Sequence, residues 1–182
     1  MAQLDPAGDD SQWHQWMSHA ENAAVASGLA RGLVSGLMGA LGELQENVCQ
    51  HSGHPETGLV AYAAVNGTFE FVVADAGVGV LASLRENLEF AQIADSGDAL
   101  RVAVSDGASR HGSASGRGYG IGQLFRALAH DSAELRFRSG DHVLRLWGDA
   151  PSLSGQYEVA QKAQLDGLII TVRCTSRRRG ET

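Results

Sequence analysis

Three short segments combine carboxylate, amide and bare glycine backbone at spacings that suit nucleotide chemistry. In the first, Glu43-Leu-Gln-Glu46-Asn47-Val-Cys-Gln-His51, residues Glu43, Asn47 and His51 stand four apart. On a helix that spacing makes one polar stripe beside the apolar stripe of Leu44 and Val48. The stripe either lines a pocket or is an ordinary solvated face. The second segment, Asp75-Ala-Gly77-Val-Gly79, ends a hydrophobic run, so a strand delivers a carboxylate at its tip. That carboxylate can accept the amino hydrogen of adenine while the glycines let a flat base lie close, or it can cap a helix near Leu81. The third is Gly116-Arg117-Gly118-Tyr119-Gly120-Ile121-Gly122, just before a helix expected over residues 123–130. Free backbone N–H groups at a helix start suit an anion, and a triphosphate is the natural candidate. The segment lacks the terminal Gly-Lys-Ser/Thr of a P-loop, and the one lysine, Lys162, is far downstream. No strand immediately precedes it, which excludes a dinucleotide-binding fingerprint.

The elements that must hold these segments are legible in part. Leu29, Leu33, Leu37, Leu41, Leu44 and Val48 recur at helical spacing, predicting a long helix from about Leu29 to His51, stopped by Gly53 and Pro55. Gly28, Gly32, Gly36 and Gly39 form a second stripe that weakens the helix by about 1 kcal/mol each relative to Ala, so an element packed closely against them is expected. Gly58–Val65 and Thr68–Asp75 flank Asn66-Gly67, a dipeptide favoured in two-residue hairpins because both residues tolerate positive φ. Short helices are expected near Leu81–Leu88 and Asp98–Ser105. Strands are expected over Glu134–Arg138, His142–Trp147 and Leu165–Cys174, with a weaker one over Leu153–Val159 and a turn at Ser139-Gly140-Asp141. Residues 1–12 read as a disordered tail with a short helix from Ser11, residues 13–175 as one domain, and 176–182 as a basic tail.

Composition bounds the rest. At 182 residues the chain suits one core. A net charge of -7 would repel backbone phosphates, which argues against a general nucleic-acid partner. The apolar stretch Leu29–Leu44 is broken by Arg31, Ser35 and Glu43 and falls short of the ~20 residues of a membrane span. Two cysteines, and an amino terminus with neither a basic start nor an apolar run, point to a cytoplasmic protein. Cys49 and Cys174 have no metal-ligand spacing.

Taken together, E-L-x-E-N-V-x-x-H, D-A-G-V-G and G-R-G-Y-G-I-G, separated by 28 and about 40 residues, resemble the N box and the two glycine boxes of the GHKL superfamily, the Bergerat-fold ATPases. The resemblance covers about Leu29 to Trp147. It implies an α/β two-layer sandwich (α+β), with helices on one face of a mixed, mostly antiparallel sheet and ATP or ADP under a flexible lid of about residues 80–117. By that match Asn47 would hold Mg2+ and Asp75 would read adenine. Gly77 and Gly79 would shape the base pocket, and Arg117, Gly118, Tyr119, Gly120, Ile121 and Gly122 would wrap the phosphates. Glu43 matches the carboxylate that activates the nucleophile, and Arg110 and His111 could reach the γ-phosphate. Only 28 residues separate His19 from Asn47, which leaves no room for the phospho-accepting hairpin of a sensor kinase. The chain therefore resembles the stand-alone histidine-kinase-like ATPases and anti-sigma-factor kinases. That resemblance implies a serine/threonine protein kinase or ATPase with a STAS-like or sigma-factor-like partner. The alternative is a nucleotide-gated interaction module with little turnover.

Overall fold

Val65 pairs with Thr68 across Asn66-Gly67, and from this hairpin the sheet grows. Of the two turn residues only Gly67 takes positive φ, at +77°, so the turn is not the mirror-image type that the dipeptide favours. Its backbone is committed elsewhere: Gly67 N–H donates to Ser27 O at 2.7 Å, and Gly67 O accepts from Ser176 N–H at 2.7 Å. The computed structural model of the chain describes residues 2–3, 10–105, 124, 128 and 131–176. Its elements are β1 (Ala2–Gln3), α1 (Asp10–Ala26), α2 (Arg31–His51), β2 (Leu59–Val65), β3 (Thr68–Asp75), α3 (Gly79–Arg85), α4 (Ser96–Val104), β4 (Ser132–Asp149) and β5 (Gln156–Thr175). The sheet order is β1-β2-β3-β5-β4 and every pairing is antiparallel. The fold is the two-layer α+β sandwich expected, and the mixed sheet narrows to an antiparallel one among the described residues.

Alternation explains which face is buried. Phe69, Phe71 and Val73 of β3 point to the helix layer with Ile170, Val172 and Cys174 of β5, all at most 1% exposed. Leu33, Leu37, Leu41, Leu44 and Val48 of α2 supply the facing stripe. The helix α1 is far longer than the sequence suggested, because two of its inward residues are alanines, Ala20 and Ala24, which give a weak apolar signal. Trp16 anchors it, stacked on Trp13 and edge-on to Tyr62. It ends in a Schellman arrangement: Leu29 N–H bonds Ala24 O, Gly28 N–H bonds Val25 O, and Gly28 has φ +99°. The tail is not wholly frayed, since Ala2 and Gln3 pair with Val60 and Leu59.

Two expectations change in detail. A side chain added to Gly32 would meet nothing within 4 Å, so no close neighbour explains that member of the glycine stripe. Residues expected in the lid include α3 and α4, and α4 buries Gly97, Ala99, Leu100 and Val104 in the core. The strand β4 reverses direction at Ser139-Gly140-Asp141. Ala150 N–H donates to Asp131 O at 3.1 Å, although 18 extended residues would span roughly 60 Å. Arg145 also reaches Glu134 at 3.0 Å. Gly140 with φ +58° makes this reversal, and Gly167 with φ +79° bends β5 beside it. The helix expected over residues 123–130 is described only at Leu124 and Leu128, both buried.

Candidate functional site

Asp75 is the last residue of β3, and its position in the alternation puts it on the helix-facing side of the sheet with Phe71 and Val73. One carboxylate oxygen, Oδ1, accepts the Gly77 N–H at 2.8 Å. The other has no partner among the described residues. Burial pushes the Asp75 carboxyl above the ordinary aspartate range, partly offset by the Gly77 N–H. The alternative role as a helix cap is not taken: Val78 precedes α3, with no side-chain cap.

The loop that follows is held one amide at a time. Ala76 N–H donates to Thr57 Oγ1 at 3.0 Å, and that hydroxyl donates to His54 O at 2.7 Å. Val78 N–H donates to Ser52 O at 2.8 Å, where Ser52 caps α2. Gly77 is glycine because any Cβ would overlap the Ser52 backbone carbonyl. Gly79 is glycine because its φ is +76° and because Ser139 Oγ lies 2.8 Å from where a Cβ would stand. Of the two glycines assigned to the base pocket, Gly77 thus brings the β3 loop against the end of α2, and Gly79 brings it against Ser139 and Gly167.

That contact joins the second segment to the first. Ser52 lies five residues past Asn47, about 7.5 Å along the helix axis. Glu43, Asn47 and His51 are half-buried while Leu44 and Val48 are 2% and 3% exposed, so the polar stripe runs along the edge of the buried one. Neither Glu43 nor Asn47 has a side-chain hydrogen bond among the described residues. A neighbouring face of α2 is internally satisfied: Gln45 donates to Cys49 Sγ at 3.2 Å and Gln50 to Glu46 at 2.5 Å. Burial raises the Cys49 thiol, which makes it a poor nucleophile.

Among the described residues no three acidic, His or Cys side chains gather as a metal site. A divalent ion at Asn47 fits only in the way Mg2+ is usually held, by a protein oxygen shared with phosphate oxygens and water. Arg110, His111, Arg117, Gly118, Tyr119, Gly120, Ile121 and Gly122 lie outside the described residues.

A cavity of about 200 Å³ opens on the α3 side of the loop, bounded by Gly77, Gly79, Leu81, Ser139, Leu165 and Asp166 among others. Neither Asp75, Glu43 nor Asn47 lines it. This hollow is therefore separate from the three chemistry-bearing side chains. Ser52, Thr57 and Gly167 shape the loop without being singled out by the sequence, whereas Ser139 is expected there only as part of a turn. Asp166-Gly167 is a turn-prone dipeptide and is the local signal for Gly167.

Among the described residues no helix is long and apolar enough to cross a membrane. No family model matches the chain, and no curated protein matches it in sequence.

Proposed function

We propose that the chain is a Mg2+-dependent ATP-binding domain of the GHKL type, acting in bacterial signalling or regulation as a protein kinase or ATPase. The observation that carries this reading is the state of Asp75. It is a half-buried carboxylate at a strand tip, with one oxygen fixed by Gly77 N–H and the other without a partner among the described residues, beside the end of the helix that bears Asn47. An open oxygen in a partly desolvated setting is a selective acceptor for an exocyclic amino group. Asn47 and Glu43 would stand on the phosphate side of the site, and the Glu43 carboxylate, without a hydrogen bond among the described residues, could orient an attacking hydroxyl or water. Bound Mg2+ would supply charge neutralisation between phosphate oxygens, with Asn47 as its protein ligand.

The test is incubation with γ-labelled ATP, alone and with a STAS-like or sigma-factor-like protein, scoring phosphate release and label transfer. Transfer supports a kinase and release an ATPase. Binding by calorimetry without either supports the nucleotide-gated module. No binding of adenine nucleotide overturns the proposal in all its forms.

A further inference from the structure

The loop after Asp75 has a fourth anchor, which is the least exposed polar side chain described. Ser139 is 2% exposed at the reversal of β4, and its hydroxyl makes two hydrogen bonds. It donates to Gly167 O at 2.6 Å and accepts Val80 N–H at 3.0 Å. Asp75, Leu168 and Ser139 form one cross-strand row, through the pairs Asp75↔Leu168 and Ser139↔Leu168. The hydroxyl therefore sits two strands from the carboxylate, at the same level of the sheet.

Both partners of Ser139 act on the Asp75 loop. Val80 N–H closes the far end of the segment that Asp75 begins. Gly167 lies so close to the Asp75 carbonyl that a Cβ there would overlap it, and Gly79 rests on the Ser139 hydroxyl itself. Of the amides from residue 76 to residue 80, four are given to different fixed acceptors: Thr57 Oγ1, Asp75 Oδ1, Ser52 O and Ser139 Oγ. Three of those acceptors belong to Asp75 itself or to residues 52–57, which follow α2. Ser139 alone ties the loop to the opposite side, across β5.

We propose that Ser139 is a positioning residue that sets base selectivity, by fixing the loop so that the open oxygen of Asp75 keeps its direction. This rests on the adenine-reading role proposed above. A buried hydroxyl bonded to two backbone groups allows little rotation, and a carboxylate held within a narrow cone rejects a base that offers a carbonyl where adenine offers N–H. Released from Val80 and Gly167, the loop could turn Asp75 to meet other base edges. The loss would fall on discrimination more than on affinity.

Calorimetry of Mg·ATP and Mg·GTP on the parent and on Ser139→Ala tests this, with hydrogen exchange at the Val80 amide as an independent readout. The expected result is at least a 10-fold fall in the ATP-to-GTP affinity ratio, with faster exchange at Val80. If Ser139→Ala does not fold, Ser139→Cys carries the same measurement, because a thiol fills the site but bonds weakly. An unchanged ratio in a folded variant overturns the positioning role while leaving the nucleotide site standing. A parent that binds neither nucleotide, or both equally, overturns the adenine-reading proposal and this one with it.

Discussion

Asp75 shows how a candidate site residue can work against the fold that carries it. Burial raises its folded pKa above the unfolded value, so its stabilising contribution is complete below the unfolded pKa of about 3.9 and is lost as pH rises through the folded one. At neutral pH the ionised carboxylate therefore costs stability. Asp75→Asn keeps an oxygen for the Gly77 N–H and removes the charge. It should raise the thermal midpoint at pH 7 and flatten the pH dependence of stability in mild acid, as a pH series of melts would show. The same change puts an N–H donor within reach of the adenine amino group, which also donates. Mg·ATP affinity should fall roughly 10-fold or more, the scale of a lost charge-assisted hydrogen bond. A variant that is both less stable and equally tight in binding would contradict both halves. Glu43 and Asn47 should divide differently. Glu43→Ala should leave Mg·ATP affinity nearly unchanged and lower any turnover by roughly 10²-fold, whereas Asn47→Ala should weaken the Mg2+ complex in calorimetry. Turnover that survives Glu43→Ala intact would remove its chemical role.

At the scale of elements, two glycines separate function from tolerance. Gly77→Ala forces a Cβ onto the Ser52 carbonyl, and since both clashing partners are backbone, the loop or the α2 cap must move. That should cost about 2 kcal/mol or more in denaturant unfolding and weaken nucleotide binding as well. Gly32→Ala meets open space on an exposed helix face and should stabilise by up to about 1 kcal/mol with binding unchanged. Equal effects of the two would mean that the loop contact is unimportant. The same contrast explains what the sequence could disclose. The long helix, the β2–β3 hairpin and the placing of Asp75 at a strand tip follow from periodicity and turn chemistry that is local to each element. Helix α1 was under-read because Ala20 and Ala24 do the burying. The contacts of Ser139 and Gly167 were beyond reach, because Ser139 acts on Val80 and Gly167 on Asp75, contacts set only once β4 and β5 have paired. Local pattern finds the candidate residue, and topology supplies those that hold it in place.

The molecule as a whole is closed by its C-terminal strand: residues 168–175 of β5 pair with β3 on one side and with residues 133–139 of β4 on the other. At the far end of this strand Cys174 is 1% exposed, opposite Phe69, and burial pushes its thiol up to about 12. A thiol so placed reacts only when the sheet opens. It lies six residues, about 20 Å, along β5 from Leu168, the partner of Asp75, so nucleotide at Asp75 cannot shield it directly. Ligand can slow its labelling only by stabilising the whole fold, by the factor 1 + [L]/Kd, or about 2.7 kcal/mol at 100 times Kd. The labelling rate of Cys174 in a Cys49→Ala chain should thus fall by about 100-fold at that concentration of Mg·ATP, and by only about 10-fold when Asp75→Asn is added, for an affinity weakened about 10-fold. Slowing much smaller than calorimetric affinity requires would show that β5 opens in a sub-global step without releasing nucleotide. The sheet would then consist of two cooperative units, with the Asp75 loop belonging to the other one.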